Sequence, residues 1–100
     1  MTSVIVAPEA RDDIARIVAH LAAVASLTTA ARWNDRLWYA IEAIADFPGA
    51  GAPRPRLGTH VRIKIVSPYI VIYEHERGAA SASVLRVVHG RQRITKKLLR

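Results

Sequence analysis

Apolar residues change their spacing along this chain, and the changes mark out its elements. Val4, Ile5 and Val6 form a short β-branched run that stops at Pro8, the pattern of a strand over residues 2–6. Pro8 suits a helix start, because a first-turn N–H has no intrahelical partner to lose. Beyond it Ala10, Ile14, Ile17, Val18, Leu21 and Val24 recur at three- and four-residue intervals, which predicts one apolar helical face ending near Ala25. Glu9, Asp12 and Asp13 put negative charge near its N-terminus, where the helix dipole favours it. Ser26 or Thr28 can cap a second helix, whose stripe Trp33, Leu37, Ala40, Ile41 and Ile44 runs until Phe47-Pro48-Gly49 stops it. Two amphipathic helices joined by so short a turn predict a hairpin.

The spacing then drops to two. Gly49 to Gly58, with Pro53 and Pro55, reads as an irregular connection between a helical and a sheet half. Val61, Ile63 and Ile65 alternate with His60, Arg62 and Lys64, a strand with one apolar and one cationic face. Pro68 marks a turn; Tyr69 to His75 is apolar on both faces, as in a central strand, and a loop from Glu76 to Ser81 leads to a strand over Ala82–His89. The prediction is an α+β fold: an N-terminal strand, a helical hairpin, a three-stranded antiparallel meander and a short basic C-terminal tail. The tail's apolar content, Leu98 and Leu99, is small. One hundred residues suit a single domain over 1–100.

Composition narrows the function classes. With 51% hydrophobic and 23% charged residues the chain is expected to fold. Cysteine is absent, so disulfides and thiolate metal sites are excluded, and the four histidines have no ligand spacing. No metal or cofactor is expected. There is no signal-peptide pattern and no apolar run near the ~20 residues of a membrane span, so a soluble cytoplasmic protein is expected. The net charge of +7 is unevenly held: residues 1–50 carry −2 and residues 51–100 carry +9. From Arg86 to Arg100 six cations face no acid, a field that attracts phosphates or an acidic protein segment.

Particular residues in this order resemble the RelE/ParE superfamily of bacterial type II toxins. They are Val6-Ala7-Pro8-Glu9-Ala10 with Asp12 and Ile14, Ala31-Arg32-Trp33, Phe47-Pro48, Gly51 with Pro53, Leu57-Gly58 before Arg62, Tyr69 with Ile72-Tyr73, and Val88-His89-Gly90-Arg91. The terminal His-Gly-Arg after a β-branched strand is similar to the ParE branch in particular. The resemblance implies a toxin neutralised by a cognate ParD-like antitoxin. It also implies DNA gyrase as the target, or, for a RelE-like member, mRNA cleaved within the ribosome.

A metal-independent ribonuclease needs a base, an acid and cations on one concave surface. His89, Arg62 and Arg91 are the candidates here, with Lys64 and Arg93 as further charge. RelE-like nucleases commonly bring a tyrosine or second acid/base from the C-terminal segment, whereas this chain has no tyrosine after Tyr73 and no acid after Glu76. His89 shares strand parity with Leu85 and Val87, so a ring packed on the core is the competing reading. Gly90 is expected to turn the chain at positive φ. For target contact the candidates are Arg86, His89, Arg91, Arg93, Lys96 and Lys97. For the antitoxin they are Trp38 with Leu37 and Ile41, and the cations Arg54, Arg56, Arg62 and Lys64. Trp38 lies about 140° around the helix from the core candidate Trp33.

Overall fold

The computed structural model describes residues 2–99; Met1 and Arg100, the last cation of the tail, lie outside the described residues. Strand β1 (Ser3–Val6) runs into helix α1 (Pro8–Val24), and α2 (Leu27–Ala43) follows. Ser26 is the cap, its Oγ accepting the Thr29 N–H at 3.0 Å, so α2 starts after a break of only Ala25 and Ser26. Then come β2 (Ala52–Pro53), β3 (Val61–Val66), β4 (Tyr69–Glu74), β5 (Ser81–His89) and a 3-10 turn over Lys96–Leu99.

The expected α+β class and meander are present, within a larger sheet than the sequence predicts. Five strands lie in the order β1-β5-β4-β3-β2. β1 pairs parallel to β5, from Ser3 opposite Ser81 to Val6 opposite Val84. A parallel neighbour needs a long crossover, and the helical hairpin is the first part of that connection. β2 lies inside the supposedly irregular Pro/Gly stretch, where Ala52 and Pro53 pair with Ile63 and Arg62. A two-residue strand flanked by glycine and proline has no periodicity to read.

The helices cover one face of the sheet. Ala10 and Ile14 of α1 and Leu37, Ile41 and Ile44 beside α2 pack on Tyr69, Val71, Tyr73, Ala82, Val84 and Val87. On the opposite face Val61, Ile63, Ile72 and Val88 form a second cluster, covered by Leu57 and by the tail residues Ile94, Leu98 and Leu99. The tail is therefore a third layer, despite its small apolar content. A register shift sits between Ile72 and Tyr73: Tyr73 pairs with Val84 and Ile72 with Arg86, leaving Leu85 extra. This bulge breaks the expected parity, so Val87 faces the helices while Leu85 packs in the second cluster.

Three smaller expectations also change. Val24 closes the α1 stripe in sequence but is 65% exposed, and Ile65 is 66% exposed because neither helix nor tail reaches it. Gly90 does not take positive φ. Its N–H donates to the Pro68 carbonyl at 2.7 Å, and an added Cβ would lie 3.1 Å from that oxygen, so the position requires close approach instead.

Candidate functional site

Arg86, expected to face a target, is committed inside the molecule. β1 stops pairing at Val84, which leaves the edge of β5 open beyond it. Asp13 of α1 fills that place: its Oδ2 accepts the Val87 N–H at 2.9 Å and Arg86 Nε at 2.7 Å, and its Oδ1 accepts Arg86 Nη2 at 2.9 Å. Arg16 Nη2 adds a further bond to Oδ1. Burial by itself would raise the Asp13 carboxyl pKa, but the bonds from Arg86 and the Val87 N–H outweigh it and hold the group below its ordinary value. Arg86 Nη1 also donates to the Leu98 carbonyl at 2.9 Å. One arginine thus ties α1, β5 and the tail together, a structural role that corrects the sequence expectation.

His89 lies at the exposed end of β5. Its Nδ1 accepts the Arg91 N–H at 3.1 Å, so in this arrangement the ring proton resides on Nε2, which points the free side of the ring out as a donor. The ring meets Tyr69 edge-on at 5.7 Å; Tyr69 meets Trp33 in the same way at 5.2 Å, and Arg36 lies 4.3 Å from the Trp33 ring centre. Burial raises the Tyr69 pKa. Arg91 follows His89 by two residues, and Arg93, Lys96 and Lys97 are exposed farther along the tail.

The three candidates for catalysis do not meet. His89 sits opposite Tyr69, whereas Arg62 sits opposite Tyr73, four residues along β4, or about 13 Å at the rise of a strand. Arg62 Nη1 instead donates to the carbonyls of Gly49 and Gly51 at 3.0 and 2.7 Å. Tyr73 holds the same loop, donating from its hydroxyl to the Pro48 carbonyl at 2.7 Å and accepting the Gly51 N–H at 3.0 Å. Burial is the main reason that the Tyr73 pKa rises, which keeps the hydroxyl proton it donates. Gly51 has no room for a side chain here, since a Cβ would come within 2.8 Å of the Ile63 carbonyl.

The antitoxin candidates other than Arg62 separate into four groups. Leu37 and Ile41 are 0% and 2% exposed in the helix-side core and cannot touch a partner without unpacking it, so they are removed from the contact surface. Trp38 is half-buried against the same core, with Arg11 5.3 Å above its ring. Arg54 and Arg56 are exposed beside a 410 Å³ cavity with Leu57, Ile63 and Ile94, on the tail side of the sheet. Lys64 lies on the helix side, between cavities of 360 and 620 Å³. On this side stand Tyr39 and Phe47, which are 76 and 72% exposed, while Ile65, 66% exposed, lines the edge from a position that shares the opposite face with Val61 and Ile63. β2 covers only Ile63 and Arg62, so the outer edge of β3 from Lys64 to Val66 has no strand beside it among the described residues. An uncovered strand edge next to exposed aromatics is an invitation to pair with another chain.

This groove was not legible as such in the sequence. Tyr39 lies two residues from Leu37, off the apolar stripe, Phe47 reads as a helix stop, and Ile65 reads as an inward residue. An aromatic residue off the stripe was the one available signal.

The family described as "ParE toxin of type II toxin-antitoxin system, parDE" matches residues 4–94. The chain belongs to the ParE toxin family. Among solved structures, a chain of the "Chromosomal ParDE TA system from P. aeruginosa" superposes with a TM-score of 0.76 at 18% identity, covering 89% of this chain and 96% of that one. No curated protein matches in sequence. The ParE match takes in both helices and, apart from Ser3, all five strands together with Ile94, and stops before the 3-10 turn. His89, Arg91 and Arg93 and the Lys64 groove of this ParE chain fall inside the family region, and Lys96 and Lys97 lie beyond it.

Proposed function

We propose that this chain is the toxin of a ParDE-type pair: a segment of a ParD-like antitoxin occupies the groove between α2 and β3, and the His89 end engages DNA gyrase. The observation that carries the antitoxin half is that the exposed Tyr39 and Phe47 flank Lys64 beside an open strand edge. Apolar anchors with a central cation suit an amphipathic acidic segment that orders as it binds. An antitoxin of this kind and gyrase are both cytoplasmic, which places the toxin there too.

The choice of gyrase over ribosome-bound mRNA rests on family kinship and on the chemistry of the site. A ribonuclease would need His89, Arg62 and Arg91 to converge on one phosphate, and about 13 Å separates the β4 partners of His89 and Arg62. A non-covalent inhibitor needs only a shaped and charged surface, to which His89 and the exposed Arg91, Arg93, Lys96 and Lys97 that follow it can contribute.

The test is a supercoiling assay with purified toxin, alone and with antitoxin. Loss of gyrase supercoiling, relieved by antitoxin, with ribosome-bound mRNA left intact, is the expected result. Unimpaired supercoiling at stoichiometric excess, or mRNA cleavage that His89→Gln slows by about 10² or more, would replace this reading with the nuclease one.

A further inference from the structure

A third site lies at the end of the sheet away from His89. Gly49, Arg62, His75 and Arg77 line a cavity of 340 Å³, and no acidic side chain is among its walls. Cations that converge without a counter-ion repel one another, so the arrangement is stabilised by whatever anion enters.

Two of the three side chains are already held in place. Arg62 uses Nη1 on the carbonyls of Gly49 and Gly51. Its Nε/Nη2 edge, the edge that can bind an oxyanion through two parallel bonds, has no partner among the described residues. His75 has Nδ1 3.2 Å from the Ser81 carbonyl, which can only accept, so Nδ1 carries a proton and Nε2 is the nitrogen left for a ligand. Protonated, Nε2 donates to an oxygen; bare, it accepts from a phosphate's own hydroxyl. The loop wall is fixed as well, by Tyr73 on Pro48 and Gly51. Arg77 is exposed and is the one member left to close on a ligand. Such pre-positioning lowers the entropy cost of binding.

We infer that this cavity is a phosphate-binding site, formed by Arg62, His75 and Arg77. A carboxylate offers two oxygens in one plane, and a single guanidinium edge satisfies it. A phosphoryl group offers oxygens in several directions, which matches donors arriving from β3, from the end of β4 and from the turn after it. The site shares the Gly49–Gly51 loop with the wall of the antitoxin groove, but Arg62, His75 and Arg77 line no part of that groove, and phosphate binding is read without antitoxin or gyrase present.

The full chain, labelled with ¹⁵N, is titrated with inorganic phosphate at constant ionic strength, with acetate in parallel. The expected result is a saturable curve shared by the amides of Gly49, Gly51, His75 and Arg77 and by Arg62 Nε. Arg77→Gln and His75→Gln should each weaken binding by about tenfold or more, the scale of one charge-assisted hydrogen bond. Arg32→Gln, an exposed arginine outside the cavity, should leave it unchanged. Because Arg77 is exposed, its variant is expected to keep the fold, and unchanged amide positions elsewhere would verify that. Shifts spread without saturation over the surface cations would overturn the site. An acetate curve equal to that of phosphate would overturn the phosphate assignment in favour of a partner's carboxylate.

Discussion

Replacing Asp13 by asparagine keeps the size of the side chain and removes its charge, which tests the tie among α1, β5 and the tail. The amide oxygen can retain the bonds from Arg86 Nε and the Val87 N–H, but the NH₂ group then confronts Arg86 Nη2 and Arg16 Nη2, donor against donor. The Arg16 share is small, since that side chain is 70% exposed and an exposed pair contributes roughly 0.2–1 kcal/mol. The Arg86 share is larger: its side chain is 21% exposed, and a hydrogen bond to a charged group contributes about 1.5–3 kcal/mol. Leaving a wholly buried charge unpaired costs about 3–5 kcal/mol, an upper limit for this partly wetted one. The expected loss is therefore about 2–4 kcal/mol, set against a total stability of roughly 5–15 kcal/mol. Urea unfolding followed by circular dichroism should show a lower midpoint at unchanged slope, with a melting temperature reduced by roughly 10–25 °C. A cycle with Arg86→Met should return a coupling above about 1 kcal/mol. A variant within about 0.5 kcal/mol of the parent, or strictly additive single changes, would refute the assigned role.

Acid should act on the same residue. Asp13 titrates below its ordinary value, so its contribution is complete above the unfolded-state value of about 3.9 and is lost as pH falls through the lower folded one; the stability difference between parent and Asp13→Asn, measured from pH 6 to pH 2, should shrink below about pH 4. Tyr73→Phe removes the acceptor of the Gly51 N–H and the donor to Pro48, at a cost of about 1–3 kcal/mol, and hydrogen exchange at Gly51 should speed up. Phe47→Ala and Tyr39→Ala should leave the melting temperature nearly unchanged and weaken antitoxin binding by about 2 kcal/mol for a residue that is a buried anchor, as read by calorimetry. Lys64→Gln should act chiefly on the association rate and its salt dependence.

Local chemistry made the helices readable. Pro8, Ser26 and the three-and-four stripes placed α1 and the start of α2 within a residue or two, because caps and periodicity are written in neighbouring residues, while α2 ends at Ala43, a few residues before the Phe47-Pro48 stop. The meander was readable for the same reason. What the sequence hid are relations between distant positions: β1 lying beside β5, Asp13 bonded to Arg86 seventy-three residues away, and a bulge that turns Leu85 to the other face. The misassigned site residues follow the same rule. Arg86 looks like the first of a run of free cations until the open edge of β5 brings Asp13 to it. Leu37 and Ile41 lie on the apolar stripe of α2, and the sheet beneath covers that stripe and leaves Tyr39 outside it.

The tail carries two properties that pull in different directions. Ile94, Leu98 and Leu99 cover Val61, Ile63, Ile72 and Val88, and the Leu98 carbonyl is held by Arg86, while Arg93, Lys96 and Lys97 stay exposed. Full burial of one aliphatic side chain contributes about 1.5–3 kcal/mol, so three partly buried ones make peeling the tail cost roughly 3 kcal/mol. A partner that took the tail as an extended strip would lose about a hundredfold in affinity to that step. A partner that met it in place would lose nothing and would encounter its cations at fixed distances from His89. The cationic end is thus presented as a rigid surface, and Asp13, through Arg86, is what keeps it so.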